Sequence, residues 1–74
     1  MSRTSYHVIP VRGGGWSVIR AGATKASKIF DLKVDAVDFG KRLSANYNSI
    51  LVVHRKDGTI QNADSFGNNS KDKK

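Results

Sequence analysis

The apolar residues of this chain follow two different spacings, and the clearest helical spacing covers residues 30–43. In and just beyond that segment, small or apolar residues recur at intervals of three and four, at Ala36, Phe39, Gly40, Leu43 and Tyr47. This spacing places them on one side of an amphipathic helix. Asp31 stands just ahead of the pattern, so we expect its side chain to cap the helix. Gly40 lies on the apolar side, where the missing side chain would let the helix approach a sheet closely.

Four other segments carry the alternating or continuous apolar pattern of short strands. They are residues 6–11, 16–20, 50–54 and 59–61, joined in pairs by turns at residues 12–15 and 55–58. The turn sequences RGGG and RKDG contain residues that tight hairpins favour. Pro10 lacks a backbone N–H, which predicts a place at a sheet edge or near the end of its strand. The segment ILVVH is apolar on both sides, as is typical of a strand buried inside a sheet.

These elements predict an α+β fold: a two-layer sandwich in the order strand, strand, helix, strand, strand, with one helix on one face of a small sheet. Residues 21–29 are interpreted as a loop or a short irregular strand, and residues 62–67 as a loop whose Phe66 packs on the core. The single domain would span residues 5–67 and be followed by a disordered basic tail at residues 68–74. Both faces of the N-terminal hairpin carry apolar residues, so one face would stay exposed or be buried by a partner.

Charge narrows the classes of partner more than length does. The 74 residues include 13 Lys and Arg against 6 acidic residues, all of them Asp, and no Cys, for a formal net charge of +7. Such a charge favours polyanions such as nucleic acid, an acidic protein or an anionic surface, although it also serves solubility alone. The chain has neither a signal-peptide core nor a run of about 20 apolar residues, so we expect a soluble, cytoplasmic protein that does not act at a membrane.

Motifs spread along most of the chain resemble the small bacterial and phage family known as domain of unknown function 2188. The matching residues are His7, Val8 and Pro10; Gly14, Gly15 and Trp16; Ser27; Ala36; His54, Asp57, Gly58 and Ile60; and Asp64, Ser65, Phe66 and Gly67. The sequence departs from the family pattern at Leu32, where a Thr usually opens the helix, and at Gly40, where Ala is usual. The resemblance implies the α+β fold just described, and the name of the family implies no activity.

Two groups of residues suggest chemistry, and neither is complete. His7 and His54 could lie on adjacent strands and, with Asp57 or Asp64, form a metal or acid–base site, but a third ligand at suitable spacing is missing. Ser65 beside Asp64 lacks a nucleophile elbow, and so small a domain has little room for a sheltered pocket. We therefore expect neither an enzyme, nor a metal site, nor a cofactor, with the histidines bonded locally at strand ends.

Basic residues interleaved with aromatic ones leave two hypotheses about binding. A sheet that presents Tyr6 or Trp16 among cations can stack bases and hold phosphates, which predicts a nucleic-acid-binding module with weak sequence specificity. DNA and RNA both remain open. The residues expected to carry this binding are Arg12, Arg20, Lys25, Lys28, Arg55 and Lys56. The alternative is a protein-interaction module, either a homodimer that buries the uncovered sheet face or pairs edge strands, or a phage or host regulator of an acidic partner.

Overall fold

A computed structural model describes residues 4–65 of the chain, so the predicted tail at residues 68–74 and the packing of Phe66 lie outside the described residues. Within that range a single helix packs on a five-stranded sheet. The elements are β1 (Ser5–Pro10), β2 (Trp16–Arg20), β3 (Lys28–Phe30), α1 (Lys33–Asn46), β4 (Ile50–His54) and β5 (Ile60–Ser65). The predicted α+β class and the single helix on one face of a sheet are confirmed.

The strands lie side by side in the order β3-β2-β1-β4-β5. β1 and β4 run parallel, and every other neighbouring pair is antiparallel. Parallel pairing needs a crossover connection, which here contains α1. The helix crosses one face of the sheet and contacts β1, β2, β3 and β4. Between residues 4 and 65, no helix has both the length and the apolar character that crossing a bilayer requires.

The β1–β2 hairpin forms where the sequence predicted it. In the turn, the backbone N–H of Val11 donates to the Gly15 carbonyl at 2.9 Å. Gly15 has φ +94°, and a Cβ built there would lie 2.9 Å from the Phe30 carbonyl oxygen. A left-handed backbone and a close neighbour therefore both require glycine at this position. Pro10 is the last residue of β1. Because β1 is the middle strand, the expectation of a strand end is confirmed and that of a sheet edge is wrong.

The start of the helix differs from the sequence-based prediction. Phe30 belongs to β3, and α1 begins only at Lys33. Its N-cap residue is Leu32, with φ −109° and ψ 139°, and no side chain accepts a hydrogen bond from the first turn. The expected cap by Asp31 is therefore wrong, because Asp31 lies one position too early to serve as the N-cap residue.

The core lies between α1 and the side of the sheet that it covers. Its buried members are Tyr6, Val8, Val18, Ala36, Leu51 and Val53, with Trp16, Phe30, Val37, Phe39 and Leu43 packed around them. The rings of Phe30 and Phe39 have centroids 5.4 Å apart. Gly40 is buried, and an added Cβ there would lie 2.8 Å from a Leu51 methyl carbon, so the expected close approach of helix to sheet is confirmed.

The sequence predicted less strand structure at both edges of the sheet than the fold contains. β3 occupies Lys28–Phe30, inside and just beyond the segment interpreted as a loop or a short irregular strand. β5 runs from Ile60 to Ser65, so residues 62–65 are not the expected loop. The register of β5 against β4 shifts at Val53 and His54, which marks a β-bulge. As predicted, β4 is an interior strand, with Leu51, Val52 and Val53 all buried.

Candidate functional site: the open sheet face

The sheet has a second face, opposite α1, that no described residue covers; we call it the open face. Strand alternation and register assign it these residues: Ser5, His7, Ile9, Ser17, Ile19, Ile29, Ile50, Val52, His54, Ile60, Ala63 and Ser65. Lys, Arg and Asp do not occur among them. In a chain in which 26% of residues are charged, the open face thus consists of uncharged side chains and two histidines.

The open face is also rich in large β-branched side chains. All five isoleucines of the chain lie on it, together with Val52. Ile29 is 59% exposed and Ile60 is 58% exposed, while Ile9, Ile19 and Ile50 are half-buried. Ile29 and Ile60 lie on the two edge strands, and the half-buried isoleucines of β1, β2 and β4 lie between them. Large exposed apolar surfaces mark sites of association, whereas single exposed apolar residues carry no such meaning.

Two histidines meet in the open face because β1 and β4 are neighbours. Nδ1 of His7 lies 3.0 Å from Nε2 of His54, and the ring centroids are 5.3 Å apart. Nδ1 of His54 lies 2.9 Å from the Gly58 carbonyl oxygen, and Oγ of Ser5 lies 3.3 Å from Nε2 of His7. The histidines were expected to bond locally at strand ends, and the bond between them adds a long-range contact to those local bonds.

The partners of the pair fix where its protons are. The Gly58 carbonyl can only accept, so Nδ1–H of His54 donates to it and Nε2 of His54 carries a lone pair. Nδ1–H of His7 then donates to that lone pair, and the Ser5 hydroxyl donates to Nε2 of His7. Both rings are neutral in this arrangement. Burial first, and then the charge that His54 would carry, lower the pKa of His7 below its ordinary value of 6.5.

Neither candidate carboxylate joins the histidine pair. Asp57 is bonded to Thr59, whose hydroxyl and backbone N–H donate to it and lower its pKa. Asp64 projects from the helix side of the sheet and accepts from the Asn62 amide at 2.9 Å. Residues 4–65 hold no group of three His, Cys, Asp or Glu side chains placed to bind a metal ion. Since Asp64 and Ser65 are consecutive strand residues, they also point to opposite faces.

The six cations predicted to bind nucleic acid lie in separate places. Arg12, Arg55 and Lys56 are at the end of the sheet formed by the β1–β2 and β4–β5 turns. Arg20 and Lys25 are at the opposite end, where β2 leads into the loop before β3. Lys28 is on edge strand β3, with its Nζ 5.5 Å from the Phe30 ring centroid.

Two members of the first group border a cavity of about 520 Å³. Arg12 and Lys56 line it together with Pro10, the three turn glycines, Trp16 and Asp31. Arg55 does not line it, because its guanidinium donates to the Thr59 hydroxyl and to the Ile60 carbonyl and so braces its own turn. A second cavity of about 490 Å³ at the opposite end is lined by Arg20, Tyr6 and Tyr47, among others.

The aromatic residues do not face outward from the sheet as the stacking hypothesis required. Tyr6 is 7% exposed and belongs to the core. Trp16 is half-buried on the helix side, with Nζ of Lys33 4.8 Å from its ring centroid. Base stacking on the free surface of the sheet is therefore excluded for these two residues, whereas phosphate contacts by the cations are not addressed by their position.

Comparisons with known proteins agree with the resemblance found in the sequence. The model of a family described as "Uncharacterized protein conserved in bacteria (DUF2188)" matches residues 6–66. The "Uncharacterized protein YdaT" of Bacillus subtilis (strain 168) is 36% identical over 55 residues, which cover 74% of this chain and 36% of that protein. The chain thus spans about a third of the length of that relative, and no solved structure matches it. With a family match that includes the hairpins, the helix and both histidines, the chain belongs to the DUF2188 family.

Proposed function

We propose that this protein is an interaction module that uses its open face to bind another protein surface. The observation that supports this is the composition of the face: five isoleucines, two of them more than half exposed, on a surface without Lys, Arg or Asp, in a chain of net charge +7. Exposing such a surface costs free energy in water, and covering it with a partner recovers that cost. A partner would be held mainly by apolar contact, and salt would have little effect on binding.

A photo-crosslinking experiment in producing cells tests the interaction. A photoreactive amino acid replaces Ile29 on the open face or, as a matched control, Val34 on the helix, since the two side chains are 59% and 69% exposed. We expect one dominant crosslinked product from position 29 and none from position 34. Equal and diffuse crosslinking from both positions would contradict the proposal, because both residues would then simply be in water.

A second candidate is nucleic-acid binding through phosphate contacts, which the hairpin-end cavity favours. Arg12 and Lys56 are 44 positions apart in sequence and yet line the same cavity. Between residues 4 and 65 the Arg42–Asp38 contact at 3.1 Å is the one ion pair, and Arg12 and Lys56 take no part in it. Such contacts are weakly specific and weaken steeply with salt.

Titration of a fluorescent oligonucleotide at low and physiological salt tests this second candidate. Replacing both Arg12 and Lys56 with Ala should weaken binding at least tenfold, because each cation contributes a phosphate contact. The matched double variant at Arg20 and Lys25 removes the same charge from the other end of the sheet and should have a smaller effect. Lack of binding at low salt would end this candidate. Both candidates are proposed for a cytoplasmic protein.

A further inference from the structure

We infer that the partner of the open face is a second copy of this chain, and that the His7–His54 pair inside the contact makes the dimer dissociate in mild acid. This inference rests on the proposed interaction function and names its partner and its regulation. It uses the neutral composition of the face, the area of the face and the proton arrangement of the histidine pair. It does not depend on phosphate binding.

The distribution of charge allows two copies to pack through the open face. Each chain carries a formal charge of +7, so two copies repel each other unless their charged groups are kept apart. All nine Lys and Arg of residues 4–65 lie off the open face, on the helix side, in the turns or in the loop before β3. Face-to-face packing would place two uncharged sheets about 10 Å apart and leave the cations outside. An acidic partner would instead seek the charged surface.

The size of the face suits a weak dimer. Five strands spaced about 4.8 Å apart and about 17 Å long cover roughly 400 Å² in projection, and the accessible area of a surface of side chains exceeds its projection. The accessible area buried by two copies together would then be about 1,000–1,200 Å², at the lower limit for specific interfaces. We therefore expect self-association that depends on protein concentration.

The histidine pair holds one added proton more readily than two. One proton can bind Nε2 of His7, because the Ser5 hydroxyl can turn to accept from it. A second proton would have to bind Nε2 of His54, where the Nδ1–H of His7 already points at 3.0 Å. Two facing N–H groups and two like charges would then force the rings apart. Even the first proton puts a charge on a face that packs against apolar side chains, so protonation favours separate chains.

Among residues 4–65, no carboxylate faces the pair and could stabilise its protonated form. On β1 its neighbours are Ser5 and Ile9, on β2 Ile19 lies opposite His7, and on β4 Val52 pairs with His7. On β5, Ile60 lies opposite His54. The nearest charged residues along the chain are in the turn after His54: Arg55, Lys56 and Asp57, whose carboxylate is bonded to Thr59. The effect of pH between about 7.5 and 5.5 therefore comes from the histidines.

Sedimentation velocity of the full chain over a range of concentrations, at pH 7.5 and at pH 5.5, tests the inference. We expect a dimer at pH 7.5 and a dissociation constant at least about tenfold weaker at pH 5.5, since each copy takes up a proton on separation. The variant Ile29→Lys should weaken the dimer at least tenfold at pH 7.5, whereas Val34→Lys, which adds the same charge to the helix, should not. The double variant His7→Asn with His54→Gln keeps a neutral amide pair and should flatten the pH dependence.

Each result supports or overturns a stated part of the inference. If the chain is a monomer at several hundred micromolar and pH 7.5, the partner is not a second copy. Specific crosslinking from position 29 to another protein would then still support the interaction function. Equal loss of dimer in Ile29→Lys and Val34→Lys would place the contact elsewhere. A dimer of unchanged strength at pH 5.5, or one whose pH dependence survives in the histidine double variant, would overturn the role of the pair. Circular dichroism of each variant separates dissociation from unfolding.

Discussion

At the scale of single residues, Gly40 is the position where helix and sheet constrain each other most directly. An added Cβ would meet one Leu51 methyl carbon at 2.8 Å and a Val8 methyl carbon at 3.4 Å. Leu51 is 1% exposed and Val8 is fully buried, so neither side chain can move into water to make room. The helix accepts a residue of poor helix propensity because a larger one would push it away from the sheet.

We predict that Gly40→Ala lowers the free energy of unfolding by about 1 kcal/mol. Alanine gains about 1 kcal/mol of helix propensity over glycine, but overpacking of a close core costs about 1–3 kcal/mol. Denaturant unfolding followed by circular dichroism measures the difference.

The contact between Gly40 and Leu51 predicts that the two positions are coupled. Adding Leu51→Val to Gly40→Ala should cost less than the sum of the two single changes by at least about 0.5 kcal/mol, because the smaller side chain makes room for the new methyl group. A stabilised Gly40→Ala protein, or strict additivity in the cycle, would mean that the helix moves freely on the sheet.

Also at this scale, the lowered pKa of His7 predicts how stability depends on pH. Burial and the charge of His54 lower this pKa in the folded chain, so the unfolded chain binds the proton more tightly. The stabilisation is complete above about pH 6.5, the ordinary value, and decreases as the pH falls from there toward the lowered pKa. Urea unfolding of dilute protein at pH 7.5, 6.5 and 5.5 should show this decrease.

The variant His7→Asn should lose most of this pH dependence, since asparagine cannot titrate. The lowered pKa of Asp57 acts in a separate window, because that carboxylate takes up a proton only below its ordinary value of 3.8. An equally steep loss of stability in the asparagine variant above pH 5 would show that another group is responsible.

At the scale of elements, the start of α1 lacks a feature that most helices have. Leu32 occupies the N-cap position with an extended backbone, is 58% exposed and offers no oxygen to the first turn. We predict that Leu32→Ser raises the free energy of unfolding by about 1 kcal/mol, because its hydroxyl can accept from a free backbone N–H. Thermal unfolding measures the change, and Leu32→Ala, which shortens the side chain without adding a cap, is the control. No gain for serine over alanine would contradict the assignment of the cap.

The elements that could be predicted from the sequence are those whose own residues specify them. The glycine turn specifies the β1–β2 hairpin, the apolar spacing around Ala36 and Gly40 specifies α1, and the continuous apolar run specifies β4 as an interior strand. In each case the local preference and the final packing agree.

The edge strands could not be predicted because their pairing partners specify them. β5 has the sequence IQNADS, with three residues that strands disfavour, Asn62, Ala63 and Asp64, and all six of its residues are exposed. It is a strand because β4 offers a row of unpaired backbone groups beside it. β3 is three residues long and exists through its bonds to β2. The incorrect prediction that Asp31 caps the helix has the same origin, because Phe30 belongs to β3 and the helix therefore begins later than predicted.

At the scale of the whole molecule, the candidate site depends on strand order, which the sequence left open. Alternation alone predicts that His7 and Ile9 share a face, and that His54 and Val52 share a face. It does not state that β1 and β4 are neighbours, and only that pairing brings the two histidines to 3.0 Å. The same order places all the isoleucines on one side. The sequence showed that a sheet face could remain uncovered, and the fold shows which residues occupy it.

The placement of charge leads to a last prediction, for the second candidate function. Asp31 lines the hairpin-end cavity beside Arg12 and Lys56, so a phosphate held there would approach a carboxylate. We predict that Asp31→Asn tightens oligonucleotide binding about fivefold at 0.1 M salt, since a like charge some 4 Å away costs about 1 kcal/mol in a water-like medium. Fluorescence anisotropy with a labelled oligonucleotide measures the affinity.

The control for that prediction is Asp64→Asn, which removes the same charge from exposed strand β5. It should change the affinity less than twofold, because charges more than about 10 Å apart are largely screened from each other at 0.1 M salt. Equal tightening by both variants would mean that nucleic acid responds to the net charge of the chain and not to the cavity. Phosphate binding would then be a general consequence of the positive charge, and the neutral open face would remain the surface of this molecule that is specific in shape and composition.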